Sequence, residues 1–276
     1  SAASDVYKRQ VLGLDPAFRT GTKWALVNHT GRFVKHGVIY PVPPKNQVEE
    51  ARKELNAVLK EHKVDIVAIG NGTASREVFR FIRDWIKDEN HELETLVVNE
   101  SGASVYSASK TAREEFPDLD LTVRGAVSIA RRYQDPLAEL VKIEPKSIGV
   151  GQYQHDVNQN RLKQSLERTV ESCVNYVGVD LNRASFQLLE HVSGISPGLA
   201  RNIVQHRNLN GAYSTRNDLL KVKGMGKRTF EQSAGFLRVM ESENPLDQSA
   251  VHPENYTVVE QMAEHLELPL KEMVGN

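Results

Sequence analysis

The sequence predicts a mixed α/β domain followed by an all-α region. Three observations carry this. Five short apolar runs, separated by turns or by helix-patterned segments, occupy the chain as far as Asn99. From Gly125 onward only helical patterns appear. The same glycine turn then occurs twice, around Gly194 and around Gly224.

Val11-Leu12-Gly13-Leu14-Asp15 reads as a buried strand ending in a carboxylate. Lys23–Asn28 and Arg32–Tyr40 read as the next two strands, joined by a turn at His29-Thr30-Gly31. The prolines between Pro41 and Pro44 break the chain. Gln47–His62 places Ala51, Leu55, Val58 and Leu59 at helical spacing. Asp65–Gly70 is a short buried strand, and Thr73–Lys87 a helix capped by Thr73 or Ser75. Leu96–Asn99 is the fifth strand and Ser101–Glu115 the next helix. Three strands in a meander, then alternating helix and strand, make a mixed five-stranded sheet in the order of an RNase H-like fold. Pro136, Pro145 and the Gly149–Gly151 stretch mark the passage to the second half. A small helical unit begins after Pro245, near Pro253.

At 276 residues the chain allows about two domains. The expected division is a leader over 1–10, the sheet domain over 11–143, a tandem hairpin domain over 144–240 and a small helical tail over 245–276. The leader, with Asp5-Val6-Tyr7-Lys8-Arg9-Gln10, looks non-native and is set aside; the chain is expected to be a piece of a longer protein. The net charge of -1 gives no global basic signature, so any contact with nucleic acid must come from local patches. Cys173 is the single cysteine, which excludes an internal disulfide and fits a reducing cytoplasm. No apolar run approaches the roughly 18 residues needed to span a bilayer, so no membrane partner is expected.

The hairpins carry the strongest functional signal. One reads Val192-Ser193-Gly194-Ile195-Ser196-Pro197-Gly198-Leu199-Ala200, the other Val222-Lys223-Gly224-Met225-Gly226-Lys227-Arg228. In each, an apolar residue leads into a tight glycine turn that opens a helix. Glycine permits positive φ and leaves no side chain in the way. The N–H groups at the start of the following helix then face outward, where a phosphate can accept from them. Lys223, Lys227 and Arg228 add positive charge at the second turn. This is the helix-hairpin-helix pattern, which holds nucleic-acid backbone and reads little sequence. Gly194, Gly198, Lys223, Gly224, Gly226, Lys227 and Arg228 are the candidate binding residues.

Two clusters bear on chemistry. Asp15, at a strand end before Pro16-Ala17-Phe18-Arg19-Thr20-Gly21, has the placement of a ligand for a hard divalent cation, and Glu100 at the end of the fifth strand can approach it. Two-metal phosphodiester chemistry needs several acids converging on the ions. The last helix of the domain offers Arg124-Gly125-Ala126-Val127-Ser128, without a carboxylate, and Asn71 after the fourth strand is neutral. Asp120 lies before that helix. The acid set is incomplete, and Asp15 and Glu100 can instead anchor loops through Arg19 or Arg76. The second cluster, Gly149-Val150-Gly151-Gln152-Tyr153-Gln154-His155-Asp156, has no second His or Cys at metal-ligand spacing and reads as structural.

With these residues assembled, the chain resembles the Tex family of bacterial transcription accessory proteins, over the stretch from their YqgF domain into their helix-hairpin-helix region. The resemblance covers about Val11 to Asn276. It rests on Gly13–Gly21, Ile69–Glu77, Asn99–Ser109, Arg124–Lys142, Ser147–Asn158, Asn175–Asn182 and both hairpins. Ala17 stands where the family usually has glycine. The resemblance implies binding of RNA or DNA, with the transcription or translation machinery as further partners. It also implies a helical region before the YqgF domain and an S1 RNA-binding domain after the tail. The reading is a sequence-independent, RNA-binding accessory factor whose sheet domain is a scaffold, with no cofactor. The alternative is a Mg²⁺-dependent nuclease or resolvase using Asp15 and Glu100 as catalytic and metal-binding residues. An actin-like ATPase is disfavoured, because the second glycine-rich phosphate loop it needs is missing.

Overall fold

The computed structural model describes residues 9–274. It divides into two compact units, with the division between Val150 and Gly151.

The first unit is a five-stranded mixed sheet in the order β3-β2-β1-β4-β5. Strand β1 is Val11–Asp15, β2 Thr22–Val27 and β3 Phe33–Ile39. These three pair antiparallel, with Asp15 opposite Lys23. Helix α1 (Val48–Glu61) leads into β4 (Ile66–Gly70), α2 (Ser75–Asp88) and β5 (Glu94–Val98). Strand β4 lies parallel to β1, and β5 parallel to β4. Two small helices, α3 (Ala103–Ala108) and α4 (Lys110–Glu115), precede α5 (Leu121–Gln134), α6 (Pro136–Leu140) and α7 (Pro145–Ile148).

Side-chain alternation along the strands gives the sheet two apolar faces. Leu12, Leu14, Trp24, Leu26, Val67 and Ile69 pack under α1 and α2, which contribute Leu55, Val58, Ile82 and Trp85. Val11, Ala25, Val27, Ile66 and Ala68 pack under α5, which contributes Ala126, Val127, Ile129 and Ala130. Helix α5 presses directly on β1: a Cβ added at Gly13 would stand 2.7 Å from Ala130 Cβ and collide with the Ala126 carbonyl. Glu115 ties the neighbouring helices together by accepting from Tyr106 Oη at 2.7 Å, Arg131 Nη1 at 2.7 Å and Lys142 Nζ at 3.3 Å. Arg9 and Gln10 lead into the central strand β1. The Asp65 carboxylate accepts from the Gln10 amide at 2.8 Å, and the Gln10 carbonyl accepts from the Asp65 amide at 3.0 Å. The rest of the expected leader lies outside the described residues.

Several expectations are corrected in detail. The helix expected over Ser101–Glu115 breaks at Ser109, whose extended backbone (ψ 161°) and hydroxyl, accepting from the Ala112 amide, cap a new helix. Neither Thr73 nor Ser75 caps α2. The cap position is Ala74, in the left-handed region at φ 66°, with no side-chain acceptor. The fifth strand starts two residues earlier than expected, at Glu94.

The second unit begins with the long helix α8 (Gln159–Val177), then the two-residue strand β6 (Val179–Asp180), α9 (Phe186–Leu189) and α10 (Pro197–Asn210). A 3₁₀ segment over Arg216–Lys221 leads to α11 (Lys227–Ser233) and β7 (Leu237–Arg238). Strands β6 and β7 pair in parallel, so this half is not purely helical. The pairing is too short to leave a period in the sequence. After 3₁₀ turns at Pro245–Gln248 and Pro253–Asn255 come α12 (Tyr256–Leu266) and α13 (Leu270–Val274).

One side chain fastens the last segment to the hairpins. Arg216 is fully buried and donates to the carbonyls of Asp247, Ala234, Val251, Leu246 and Ser249. Burial lowers its pKa, opposed by Tyr256 and Asp247. Tyr256 Oη closes the group by donating to Asp247 Oδ1 at 2.7 Å.

Candidate nucleic-acid interface

The two hairpins share a backbone plan. Gly194 has φ +87° and Gly224 φ +91°, and in each turn the next amide donates back to the valine carbonyl at 3.0 Å: Ile195 to Val192 and Met225 to Val222. Ile195 and Met225 are buried, as are Val192, Leu199, Val222 and Phe230. The bend therefore rests on Gly194 and Gly224. Gly226 does not share it: its φ is -88°, at the cap of α11. Gly198 lies one residue inside α10, also without positive φ. A Cβ at Gly198 or Gly226 would meet nothing within 4 Å. At both positions the missing side chain keeps the outer approach clear and relieves no internal crowding.

The hairpins brace each other. A Cβ at Gly194 would stand 3.0 Å from Gln232 Cβ on α11. The Gly224 position faces Leu199 and Asn202 on α10 at 3.8 Å, and Asn202 Nδ2 donates to the Lys223 carbonyl at 2.8 Å. Each turn thus packs on the helix that the other turn opens.

Their chemistry differs. At the first turn Ser196 caps α10, its hydroxyl accepting from the Leu199 amide at 3.3 Å. The nearby Arg201 is engaged with Glu190 at 3.6 Å and stacks over Phe186. The second turn has no side-chain cap. Lys223, Lys227 and Arg228 are exposed there, without ion pairs among the described residues, whereas Lys221 is held by Asp218 at 2.7 Å. A third turn, between α12 and α13, has Glu267 at φ 51° where a glycine would be expected, and is flanked by exposed Glu260 and Glu264. It is acidic, so phosphate is repelled there.

The acids of the sheet domain converge, but in company that sequence reading missed. The Glu100 carboxylate lies over Gly70 and Gly72, where an added Cβ would collide with it, and the Glu100 amide donates to Asn71 Oδ1 at 3.0 Å. Asp15 Oδ2 lies 2.7 Å from where a Cβ of Gly125 would stand on α5. Burial and the charge of Glu100 push the Asp15 carboxyl up to about 6, with Lys23 pulling the other way. Lys23 is buried, its ammonium donating to the Thr20 and Gly21 carbonyls at 2.7 and 3.2 Å. Burial lowers its pKa, opposed by Asp15 and Asp120. Neither Arg19 nor Arg76 forms an ion pair with either acid among the described residues; Lys23 is the cation that acts on Asp15. The register that sets Asp15 opposite Lys23 was the available signal. Asp120 caps α5, accepting from the Thr122 amide and hydroxyl. Ser128 on α5 has a fully buried, unpartnered hydroxyl. Two carboxylates beside an ammonium do not match the acid set of a two-metal centre. No group of three or more His, Cys, Asp or Glu able to hold a metal occurs among the described residues, His155-Asp156 included.

Comparison with known proteins places the chain. Residues 9–134 match the model of the Tex protein YqgF-like domain, residues 174–238 that of a helix-hairpin-helix motif, and residues 244–276 that of an HHH domain. Protein tex of Bordetella pertussis is 55% identical over 97% of this chain. The transcriptional accessory protein Tex of Neisseria gonorrhoeae is 53% identical over 96% of it. The chain belongs to the Tex family. A human relative, S1 RNA-binding domain-containing protein 1, is 46% identical over 86% of this Tex chain and is covered by it over 24% of its own length. The chain spans about a third of the two bacterial Tex relatives, 34% and 35% of their lengths. The helix-hairpin-helix motifs matched in its second half support nucleic-acid binding. No described helix is long and apolar enough to cross a membrane.

Proposed function

We propose that this Tex-family chain holds nucleic-acid backbone, RNA in the first place, through its two hairpins, the second of them basic, and that its sheet domain is a non-catalytic scaffold. The observation that carries the reading is the second turn. Gly224 bends the backbone, Gly226 leaves the approach open, and three cations without ion pairs among the described residues surround it. Gly194 and Gly198 supply the second contact from the braced partner turn. Such contacts position a backbone and carry no sequence information. The naming of one relative for an S1 RNA-binding domain supports RNA, and that of another as a transcriptional accessory protein supports a place in transcription. Replacing Lys223, Lys227 and Arg228 by alanine is expected to weaken binding equally across sequences and to lower the salt slope by ~0.7–0.9 per lost phosphate contact. An unchanged slope would overturn the reading.

The convergence of Asp15 and Glu100 supports a second reading, a Mg²⁺-dependent nuclease. In that case Asp15 and Glu100 would hold the ion, which would polarise a phosphodiester. Cleavage of RNA, duplex or junction that needs Mg²⁺ and is lost in Asp15→Asn would establish it. Absence of cleavage with Mg²⁺ or Mn²⁺ leaves the scaffold reading standing.

A further inference from the structure

Helix α2 carries a feature that its packing does not use. Its inner face is filled by Val78, Phe81, Ile82 and Trp85, all buried. Its outer face exposes Arg76, Arg80 and Arg83, at i, i+4 and i+7. None of the three has an ion-pair partner among the described residues, although Arg52 close by pairs with Asp88 at 2.8 Å and Lys35 with Glu61 at 2.6 Å. Arg76–Arg80 and Arg80–Arg83 are like-charge neighbours one turn apart, only partly offset by Glu77 and Asp84, and the row makes no ion pair among the described residues. The three arginines line a groove of about 700 Å³, together with Phe18 from the β1–β2 loop and Phe79. Glu77 is the single acid in that lining. In a chain of net charge -1, this is a local concentration of positive field.

We propose that this groove is a second nucleic-acid site, on the sheet domain, which takes a single strand. The row of arginines extends about 10 Å along the helix axis, long enough for two or three successive phosphates of one strand. Arginine binds phosphate through two parallel N–H donors, and its planar head also stacks. Phe18 is partly exposed at 36% and offers a ring face beside the charges. Charge alone fits any polyanion. Charge with an exposed ring fits unpaired bases, which stack without regard to sequence. A duplex keeps its bases internally stacked and leaves the ring idle. The site is separate in residues and in unit from the hairpins, and its case does not rest on them.

The test uses the whole chain and labelled 12-mers of oligo(U) and oligo(dT), a duplex of equal length, and a poly-glutamate peptide. Binding is measured in the parent, in an Arg76→Gln/Arg80→Gln/Arg83→Gln variant, in Phe18→Ala, and in each combined with the alanine substitutions at Lys223, Lys227 and Arg228. The arginine variant should reduce the salt slope for oligo(U) by about 2, at ~0.7 per phosphate. It should do so in both hairpin backgrounds. Phe18→Ala should weaken single strands about tenfold and duplex little. Photo-crosslinking with 4-thiouridine RNA should label the Phe18 loop or α2. Trp85 fluorescence confirms that the variants are folded. Equal affinity and slope in the arginine variant, with no crosslink to either segment, overturns the proposal. So does poly-glutamate competing as well as oligo(U) with Phe18→Ala without effect, which would mark an acidic-protein surface. So does loss of all binding and crosslinking when only the hairpin cations are removed. Failure of the hairpin reading shows separately, as an unchanged slope in the hairpin variant alone.

Discussion

Replacing Asp15 by asparagine is expected to stabilise the sheet domain at neutral pH. Asp15 sits against α5 with its carboxyl pushed up from 3.8 to about 6, by burial first and by Glu100 second. In the unfolded chain the proton leaves near pH 4, but in the folded chain only near pH 6. Between these values the native state binds more protons, so stability falls as pH rises through that window and the penalty is nearly complete at pH 7. About two pH units correspond to roughly 3 kcal/mol. Partial exposure and the cost of burying the amide reduce the net gain to about 1–3 kcal/mol. The measurement is selective, because both tryptophans, Trp24 and Trp85, are buried in this domain. Their fluorescence during urea unfolding follows this unit. With a slope of about 2 kcal/mol/M, the midpoint should rise by roughly 0.5–1.5 M at pH 7, and the gain should vanish by about pH 4. A variant no more stable at pH 7, or equally stabilised at both pH values, would refute the argument.

Four further outcomes are expected. Gly13→Ala should lower the stability read by the same fluorescence by about 1–3 kcal/mol or more, since its Cβ has no room beneath α5; parental stability would show that α5 is not seated on β1. Gly224→Ala, at φ +91°, should destabilise the second unit by about 1–2 kcal/mol of strain, seen as a lower thermal midpoint. Gly226→Ala should cost at most about 1 kcal/mol of stability, as an alanine at a helix N-cap, yet weaken RNA binding in titration, because its Cβ occupies only the open approach. Arg216→Met should destabilise the second unit by about 3–5 kcal/mol, leaving five carbonyls without their donor; hydrogen exchange over Leu237–Val251 should rise, and unchanged protection would contradict this.

The sheet was legible because its strands are apolar runs that need no partner to be recognised. Val11–Asp15 and Asp65–Gly70 announce themselves by composition, and α1 by its spacing. What escaped was decided by contacts between distant residues. Ser109 looks like any helical serine until its hydroxyl takes the Ala112 amide. Val179 and Leu237 form a strand pair across more than fifty residues of helix. Gly224 and Gly226 look alike in the chain, yet only the first has positive φ. Lys23 was read as a strand residue and proves to be the cation nearest in effect to Asp15. Arg76, Arg80 and Arg83 were visible as letters. Their significance depends on the absence of partners and on Phe18 reaching the same groove, which no local pattern records.

The mutual bracing of the two hairpins has a mechanical consequence. Because Gly194 rests on Gln232 and Gly224 on Leu199 and Asn202, neither turn can shift without carrying the other's helix. The pair behaves as a caliper of fixed opening. On the proposed function, a strand held at one turn would present its next phosphates to the other at a high effective concentration, and the second grip would forgo most of the entropy of a fresh encounter. Strands whose phosphate spacing misses the gap would be held at one point only, and weakly. Discrimination among nucleic acids can then follow from their curvature and spacing, with no base ever contacted.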